Sequence, residues 1–217
     1  MTGEEASADL APLMTALLEG DHREALEETR RLRAAGVSPV EIVTRGLEVA
    51  MGQLDEKCTV EGFNLLEIML VGRAVSAVVG ELYPEGESPP VGKGTFIIAT
   101  LEGDVHDLGK NIAKMVLIGK GYRVVDLGRD CPVQNVVEAV EREGARAVLV
   151  SGLITAVIPQ VRKVRPALEK HGLGDVKVVA GGAALKQASA ENLQVDYVAE
   201  TAFDGARYLD QLFGEKP

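Results

Sequence analysis

The hydrophobic pattern of residues 1–83 is helical. Apolar residues recur at helical spacing in four runs, around 10–18, 26–32, 42–54 and 64–82. Gly20 ends the first run, and Asp21 can cap the second. "SPVE" at 38–41 provides a serine N-cap, a proline in the first turn and a glutamate three residues after the cap. Four helices with short connections predict a small all-α bundle.

The pattern changes after residues 84–94, "PEGESPPVGKG", which hold three prolines and three glycines and read as an interdomain linker. Short apolar runs then follow at 95–101, 122–128, 146–152, 176–182 and 195–201. Amphipathic patterns predict helices at about 109–120, 133–143, 157–171, 184–190 and 202–213. This alternation predicts an α/β domain over 95–217. Its expected core is a flavodoxin-like (Rossmann-like), doubly wound, five-stranded parallel sheet with strand order 2-1-3-4-5.

Charge and cysteine content exclude several classes of protein. Acidic residues exceed basic ones by 33 − 23 = 10, and no Lys/Arg cluster breaks this pattern, which argues against nucleic acid as a partner. Cys58 and Cys131 lie far apart in the sequence and indicate neither a disulfide framework nor a zinc site. The N-terminus lacks the pattern of a signal peptide, and no apolar run approaches the ~20 residues needed to cross a membrane. We therefore expect a soluble, cytoplasmic protein.

Unusual residues follow three of the predicted strands. "GDVHDLG" (103–109) follows the first strand, "SGLIT" (151–155) the third and "AGGAA" (180–184) the fourth. In a doubly wound sheet, ligands bind outside the carboxyl ends of the strands where the strand order reverses, and strands one and three flank that point. The three loops therefore predict one ligand-binding crevice.

Asp104 and His106 form the most informative pair in these loops. They are two residues apart, so their side chains point the same way in an extended segment. The carboxylate can then accept a hydrogen bond from one ring nitrogen and leave the other nitrogen free to bind a metal. The helix predicted from about Leu108 directs its positive end at this loop and favours neutral imidazole. The plainer alternative is a hydrogen-bonded turn that holds no ligand.

A metal at His106 would need most of its ligands from outside the protein. A hydrolase would need a nucleophile motif such as GxSxG, which the sequence does not contain. A conventional zinc site needs three or four protein ligands, and His22 and His171 lie on predicted helices far from this edge. A single imidazole suits a metal that arrives in a macrocycle and takes histidine as an axial ligand.

The loops after the third and fourth strands suit a large ligand. Ser151 and Thr155 offer hydroxyl groups beside the crevice, although strand-end caps explain them equally well. Gly181 and Gly182 remove two Cβ atoms and allow close backbone approach, but an ordinary glycine turn is as good an explanation.

Together these residues resemble the cobalamin-binding domain of methionine synthase and of the corrinoid proteins of methyltransferase systems. That family's signature is D-x-H-x-x-G, then S-x-L, then G-G. Here it reads Asp104-Val105-His106-Asp107-Leu108-Gly109, then Ser151-Gly152-Leu153, then Gly181-Gly182, with gaps of 41 and 27 residues that suit the family. The flanks "ATLEGDVHDLGKNI" and "YRVVDLG" also resemble it closely.

The resemblance covers nearly the whole chain, because a four-helix cap and a linker precede the cobalamin domain in these relatives. "EGFNLLEIMLVGRAV" (61–75) resembles the last helix of that cap. Its Phe63 and Leu70 match positions that cover the upper face of the corrin, with a place in the bundle core as the alternative for each. The implied domains are a helical cap at 1–83, a linker at 84–94 and a cobalamin-binding domain at 95–217.

The resemblance also implies a role for each site residue. His106 would be the lower axial ligand of cobalt, in place of the cofactor's own benzimidazole, and Asp104 would orient it. Further cofactor-binding residues in the same loop are Gly103, Val105, Asp107 and Gly109. The channel for the displaced nucleotide tail would be lined by Ser151, Leu153, Thr155, Gly181 and Gly182. Methionine synthase extends the Asp-His relay with a serine where this chain has Val157, so proton coupling to the cobalt state is expected to differ.

The function implied is that of a corrinoid protein which carries a methyl group on cobalt, as methylcobalamin or a related corrinoid, between two methyltransferases. The implied partners are a donor-specific corrinoid methyltransferase, an acceptor methyltransferase that uses tetrahydrofolate or a thiol, and a reductive activator. Neither nucleic acid nor a membrane is an expected partner. Such a carrier completes no catalytic cycle alone, so its status as an enzyme stays open. The sequence selects neither the methyl donor, among methanol, methylamines, methoxylated aromatics and glycine betaine, nor the lower base of the corrinoid.

Two other functions use the same kind of cofactor domain. A cobalamin-dependent sensor or regulator would need an output module such as a basic helix-turn-helix, whereas the N-terminal half here is acidic. The cobalamin subunit of an adenosylcobalamin mutase generally lacks the four-helix cap. Both stay as alternatives to the methyl carrier, because a fold alone does not fix a function.

Overall fold

The structure is a computed structural model that describes residues 9–61, 64–84 and 93–214. Within these ranges the chain forms two compact units, an N-terminal helical unit and a C-terminal α/β unit. Phe63 and positions 85–92 of the expected linker lie outside the described residues, and the domain boundaries stay a prediction. Among the helices of the described ranges, none combines the length and the apolar character that spanning a bilayer requires.

The N-terminal unit is helical, as predicted. Its helices are α1 (Ala11–Glu19), α2 (His22–Ala34), α3 (Pro39–Glu41), α4 (Glu48–Glu61) and α5 (Leu65–Leu82). A π-helical segment, Ile42–Leu47, joins α3 to α4, so the third predicted helix is wider over one turn than a regular α-helix. Fully buried side chains from each apolar run form the core, among them Leu13, Leu32, Leu54 and Val75.

Side chains predicted to start helices do so. The carboxylate of Asp21 accepts hydrogen bonds from the backbone N–H groups of Arg23 and Glu24, at 3.0 and 3.1 Å. The hydroxyl oxygen of Ser38 accepts one from the N–H of Glu41 at 3.1 Å. Each bond satisfies a backbone donor that has no partner inside its own helix.

The C-terminal unit alternates strands and helices. The strands are β1 (Thr95–Thr100), β2 (Arg123–Asp126), β3 (Ala147–Ser151), β4 (Lys177–Gly181) and β5 (Tyr197–Ala199). The helices are α6 (Leu108–Gly119), α7 (Val133–Glu143), α8 (Ile158–Lys170), α9 (Ala190–Leu193) and α10 (Ala202–Phe213). The strands form one parallel sheet in the order β2-β1-β3-β4-β5, which confirms the predicted fold.

Two helices of this unit differ from their predicted bounds. The helix expected over 157–171 begins as a 3₁₀ turn, Thr155–Val157, before α8, which has a proline in its first turn. The helix expected near 184–190 is a 3₁₀ turn, Leu185–Gln187, and α9 starts afresh after Ser189. The Ser189 hydroxyl accepts the N–H of Asn192 at 3.2 Å, and this cap sets the later start.

The register of the sheet brings three strand ends together. Thr100 at the end of β1 pairs with Ser151 at the end of β3, and Ser151 pairs with Gly181 at the end of β4. All six residues of β1 are buried, as expected for a central strand covered on both faces. The loops after β1, β3 and β4 therefore leave the sheet at the same level, on the edge where a doubly wound sheet binds its ligands.

The loops after β3 and β4 also pack against each other through glycine. The N–H of Gly152 donates to Gly181 O at 2.9 Å, and the N–H of Ala184 donates to Gly152 O at 3.2 Å. Gly182 has a φ of +97°, and a Cβ there would lie 2.5 Å from Gly152 O. Packing of one backbone on another, in a left-handed conformation, explains why position 182 is glycine.

We expect Gly182→Ala to lower the free energy of unfolding by about 3 kcal/mol, because it adds a clash with backbone to the strain of a positive φ. Gly172→Ala is the matched control, since Gly172 also has a positive φ, +73°, but has nothing within 4 Å of an added Cβ. It should cost about 1 kcal/mol. Urea unfolding followed by circular dichroism measures both, and equal losses would contradict the packing explanation.

Candidate functional site

The loop after β1 is held in place by the loop after β2. The N–H of Glu102 donates to Cys131 O at 2.9 Å, and the N–H of Asp130 donates to Asp104 O at 3.1 Å. The Asp130 carboxylate accepts the N–H of Gly103 at 2.8 Å. Gly103 and Asp130 both have positive φ angles, which glycine and aspartate adopt more readily than most residues. These bonds fix the path of the loop that carries the predicted site.

Asp104 is fully buried and joins this loop to the loop after β3. Its Oδ2 accepts the backbone N–H groups of Leu153 at 2.7 Å and Ile154 at 3.4 Å. Its Oδ1 accepts the N–H of His106 at 2.9 Å and lies 2.7 Å from Nδ1 of the His106 ring. The structure thus brings the Asp104 carboxylate and the His106 ring together, the contact that their spacing predicted, and adds the backbone of Leu153.

The charge of Asp104 determines which tautomer the neutral imidazole of His106 adopts. Burial raises the pKa of Asp104, but hydrogen bonds from His106 and from the backbone of Leu153 outweigh it, so the pKa lies below its ordinary value. An ionised carboxylate only accepts hydrogen bonds, which places the ring proton of neutral His106 on Nδ1. Nε2 is then the unprotonated nitrogen, and the side chain is 50% exposed. This is the arrangement expected of a metal-binding histidine oriented by a carboxylate.

Exposed apolar side chains lie close to this histidine in the chain or in the neighbouring loop, and are called the apolar rim: Val105, Leu108, Leu153 and Ile154. Their exposed fractions are 56, 45, 48 and 36%. In the part of the α/β unit that the structure describes, Leu212 is the remaining exposed large hydrophobic residue. Exposed apolar residues concentrated in two adjacent loops mark a binding surface. A free imidazole nitrogen within such a rim fits a metal that is carried in a large, mostly apolar macrocycle.

The remaining predicted residues line the same edge of the sheet. Ser151 is half-buried, and a Cβ on Gly109 would lie 3.2 Å from its hydroxyl oxygen, so glycine at 109 leaves room for that hydroxyl. Thr155 is exposed at the start of its 3₁₀ turn. A Cβ on Gly181 would make only ordinary contact, 3.6 Å from Ala199 O. The carbonyl of Asp107 accepts the N–H of Asn111 at 2.8 Å, so Asp107 forms part of the start of α6.

The position of the relay serine holds a core residue. Val157 is fully buried and belongs to the hydrophobic core of the α/β unit. Within the hydrogen bonds described, the partners of the Asp104 carboxylate beyond His106 are the backbone N–H groups of Leu153 and Ile154. The described residues contain no group of three or more His, Cys, Asp or Glu side chains that could hold a metal ion.

Comparison with known proteins identifies the family. The family model described as the B12 binding domain matches residues 94–207. Trimethylamine corrinoid protein 2 of Methanosarcina mazei is 32% identical over 208 residues, which cover 94% of each chain. The chain belongs to the family of B12-binding corrinoid proteins. This confirms the resemblance drawn from the three motifs, and with it the corrinoid cofactor.

Solved structures agree with this assignment. A chain of the methanol:cobalamin methyltransferase complex MtaBC from Methanosarcina barkeri is 28% identical, with a TM-score of 0.79 over 100% of this chain and 86% of that one. A cobalamin-binding protein from Desulfitobacterium hafniense DCB-2 is 25% identical, with a TM-score of 0.73 over 95% of this chain and 99% of that one. The similarity therefore includes the helical region as well as the α/β fold.

The helical unit of this corrinoid protein exposes apolar side chains at the start of α5. Leu65, Leu66, Met69 and Leu70 are 39, 67, 49 and 40% exposed. Leu70 is thus not a core residue of the bundle, although its Cβ lies 2.5 Å from the point where a Cβ on Gly20 would stand. Phe63, the other residue expected to cover the corrin, lies outside the described residues.

Several residues of this site are missing from the sequence prediction. Leu108 and Ile154 complete the apolar rim, and Asp130 holds the loop. Lys110, 2% exposed, forms an ion pair with Asp126 at the end of β2. The signal for these residues is weak in the sequence, because single charges and isolated apolar residues beside loops are usually solvated or begin the next element.

We expect Asp104→Ala to lower the free energy of unfolding by about 3 kcal/mol, since it removes the charged acceptor of two partly buried N–H groups of the loop after β3. The amide of Leu153 should also exchange with solvent faster. Asp130→Gly is the control, because glycine tolerates the positive φ of this exposed position, so the change removes one acceptor and should cost about 1 kcal/mol. Urea unfolding and hydrogen exchange measure these effects. Unchanged exchange at Leu153 would show that Asp104 does not hold the two loops together.

Proposed function

We propose that this corrinoid protein carries a methyl group on cobalt between a donor-specific methyltransferase and an acceptor methyltransferase. The observation that carries the proposal is the half-exposed imidazole of His106, bonded through Nδ1 to buried Asp104 and accompanied by the exposed apolar residues of the same two loops. When bound, the corrinoid supplies a cobalt centre that can accept and release a methyl group. The chain itself supplies the axial nitrogen, the orientation of that nitrogen and an apolar seat for the macrocycle.

His106 is proposed as the lower axial ligand in place of the cofactor's benzimidazole. Asp104 keeps the proton on Nδ1 and thereby keeps Nε2 available. The other residues proposed to contact the cofactor in this loop are Gly103, Val105, Asp107 and Gly109. Those proposed to receive the displaced nucleotide tail are Ser151, Leu153, Thr155, Gly181 and Gly182.

The upper face of the corrin is proposed to meet the helical unit through Phe63 and Leu70. Support comes from the exposed apolar side chains at the start of α5, which a covering helix would need. The protein is further proposed to work in the cytoplasm, where methyltransferases and a reductive activator of the cobalt would be its partners.

The likeness to relatives leaves several methyl donors open. The identity to a trimethylamine corrinoid protein is 32%, and the identity to the chain of the methanol:cobalamin methyltransferase complex is 28%. These values are too close to select a donor, because the partner methyltransferase binds the donor. A methyl carrier is preferred to a regulator or a mutase subunit, since relatives matched over most of their length are named as corrinoid proteins of methylamine or methanol systems.

The axial ligand is tested by electron paramagnetic resonance of bound cob(II)alamin. With protein labelled with ¹⁵N at histidine, we expect the nitrogen splitting of the wild type to change from triplets to doublets. His106→Ala should lose this change and bind cobalamin at least about tenfold more weakly. His171→Ala, on the exposed end of α8, is the control and should behave as the wild type. Doublets that persist in His106→Ala would exclude His106 as the ligand.

The carrier role is tested with the reduced holoprotein, a methyltransferase for trimethylamine or methanol, and a thiol or tetrahydrofolate methyltransferase. We expect a methyl group labelled with ¹³C to appear on the acceptor only when the corrinoid protein is present. Mass spectrometry of the acceptor measures the transfer. A protein that binds cobalamin through His106 but transfers no methyl group with any donor and acceptor pair would instead be a regulator or a mutase subunit.

A further inference from the structure

We propose that Lys110 and Asp126 form a positioning pair for the loop that carries His106. Neither residue is a position of the three signature motifs, although both lie in the flanking sequences that resemble the family, and Asp126 lies on β2, a strand that supplies none of the predicted site residues. The inference rests on the proposed function, because the quantity it affects is the binding of the corrinoid by His106. It adds the end of β2 itself to a site built from the loops after β1, β3 and β4 and held by the loop after β2.

The pair is buried and closely bonded. Lys110 lies in the first turn of α6 with 3% of its side chain exposed, and Asp126 has 17% exposed. The Lys110 ammonium donates to both carboxylate oxygens of Asp126 at 2.7 Å and to Asn111 Oδ1 at 2.8 Å. Lys114 approaches the same carboxylate at 3.2 Å from the exposed side. The start of α6 is thus tied to the end of β2 by charge-assisted hydrogen bonds.

A continuous series of hydrogen bonds leads from this pair to His106. Asp126 Oδ1 accepts the N–H of Gly128 at 2.9 Å, and Gly128 O accepts the N–H of Thr100 at 3.0 Å. The hydroxyl of Thr100 then donates to the backbone carbonyl of His106 at 3.3 Å. Lys110 follows His106 by four residues on the other side. The pair therefore holds both ends of the segment 100–110, and His106 stands between them.

The energetics favour a geometric role over a stabilising one. Removing two charges from water costs several kcal/mol per ion, so a buried ion pair is often no more stable than apolar residues of the same size. Burial raises the pKa of Asp126, but the hydrogen bonds and charges of Lys110 and Lys114 bring it below its ordinary value, so the carboxylate is ionised. The pair therefore contributes little net stability, but it fixes the position of the start of α6 relative to β2.

A second ion pair in the same unit offers a matched comparison. Arg165 on α8 pairs with Asp196, which directly precedes β5, and Asp196 also accepts the N–H of Val178 at 2.7 Å. Both aspartates thus join a basic helix residue to a backbone amide at a strand end. Asp196, however, lies at the amino end of its strand, on the edge of the sheet opposite the site. Its removal should disturb the fold without moving His106.

The test compares two double variants, Lys110→Met/Asp126→Leu and Arg165→Met/Asp196→Leu. Each protein is labelled with ¹⁵N at histidine, loaded with cob(II)alamin and measured by electron paramagnetic resonance, and cobalamin affinity is measured by titration. We expect the first variant to bind cobalamin about tenfold more weakly, as partners that orient a metal ligand do when removed. A smaller fraction of its spectrum should show doublets. The cobalamin affinity of the second variant should stay within about twofold of the wild type, because its ion pair lies far from the metal ligand.

Asp126→Asn is included in case the double variant fails to fold. It keeps the size of the side chain and an oxygen that can accept the Gly128 N–H. It should show a smaller loss in the same direction. Wild-type affinity and doublets in both Asp126→Asn and the first double variant would overturn the positioning role. An equal loss in the Arg165 variant would do the same. Absence of doublets in the wild type would instead overturn the axial ligand proposal itself.

Discussion

The buried carboxylate of Asp104 is the interaction on which the rest of the site depends. A buried charge is tolerated only when its lone pairs are all engaged, and here donors from two separate loops engage them. The loops after β1 and β3 must therefore approach within hydrogen-bond distance of one side chain. The register that pairs Thr100 with Ser151 makes this possible, because both loops start from the same level of the sheet.

Contacts around Asp104 hold the loops after β1, β3 and β4 against one another. Gly152 and Gly182 let the loop after β4 pack on the loop after β3, while Asp130 holds the loop after β1 from its other side. The result is a rigid base below a half-exposed imidazole, with apolar side chains around it. A ligand held by one protein nitrogen needs such preorganisation, because the orientation of that single side chain sets the direction of the bond.

The predictable features of this chain are those with local or periodic signals. The βα alternation predicted the sheet and its order, and the spacing of two in an extended loop predicted the contact between Asp104 and His106. The contact between Lys110 and Asp126 could not be predicted in this way, because a lysine at a helix start and an aspartate at a strand end usually face solvent. The π-helical turn at Ile42–Leu47 could not be predicted either, because it leaves no visible change in the spacing of the apolar residues. The reason for glycine at 182 lies thirty positions earlier, at Gly152.

In a serine relay one hydroxyl both orients the carboxylate and passes a proton onward. The backbone partners of Asp104 do only the first of these. A hydroxyl both donates and accepts, so it can pass a proton onward, whereas a backbone N–H only donates. Where methionine synthase has its serine, this chain has Val157 in the core, and the amides of Leu153 and Ile154 hold the carboxylate. These amides orient Asp104, and through it His106, as firmly as a hydroxyl would. They offer no side-chain path for a proton, so the carboxylate here serves to aim the imidazole and to hold its Nδ1 proton, which leaves Nε2 to face a metal.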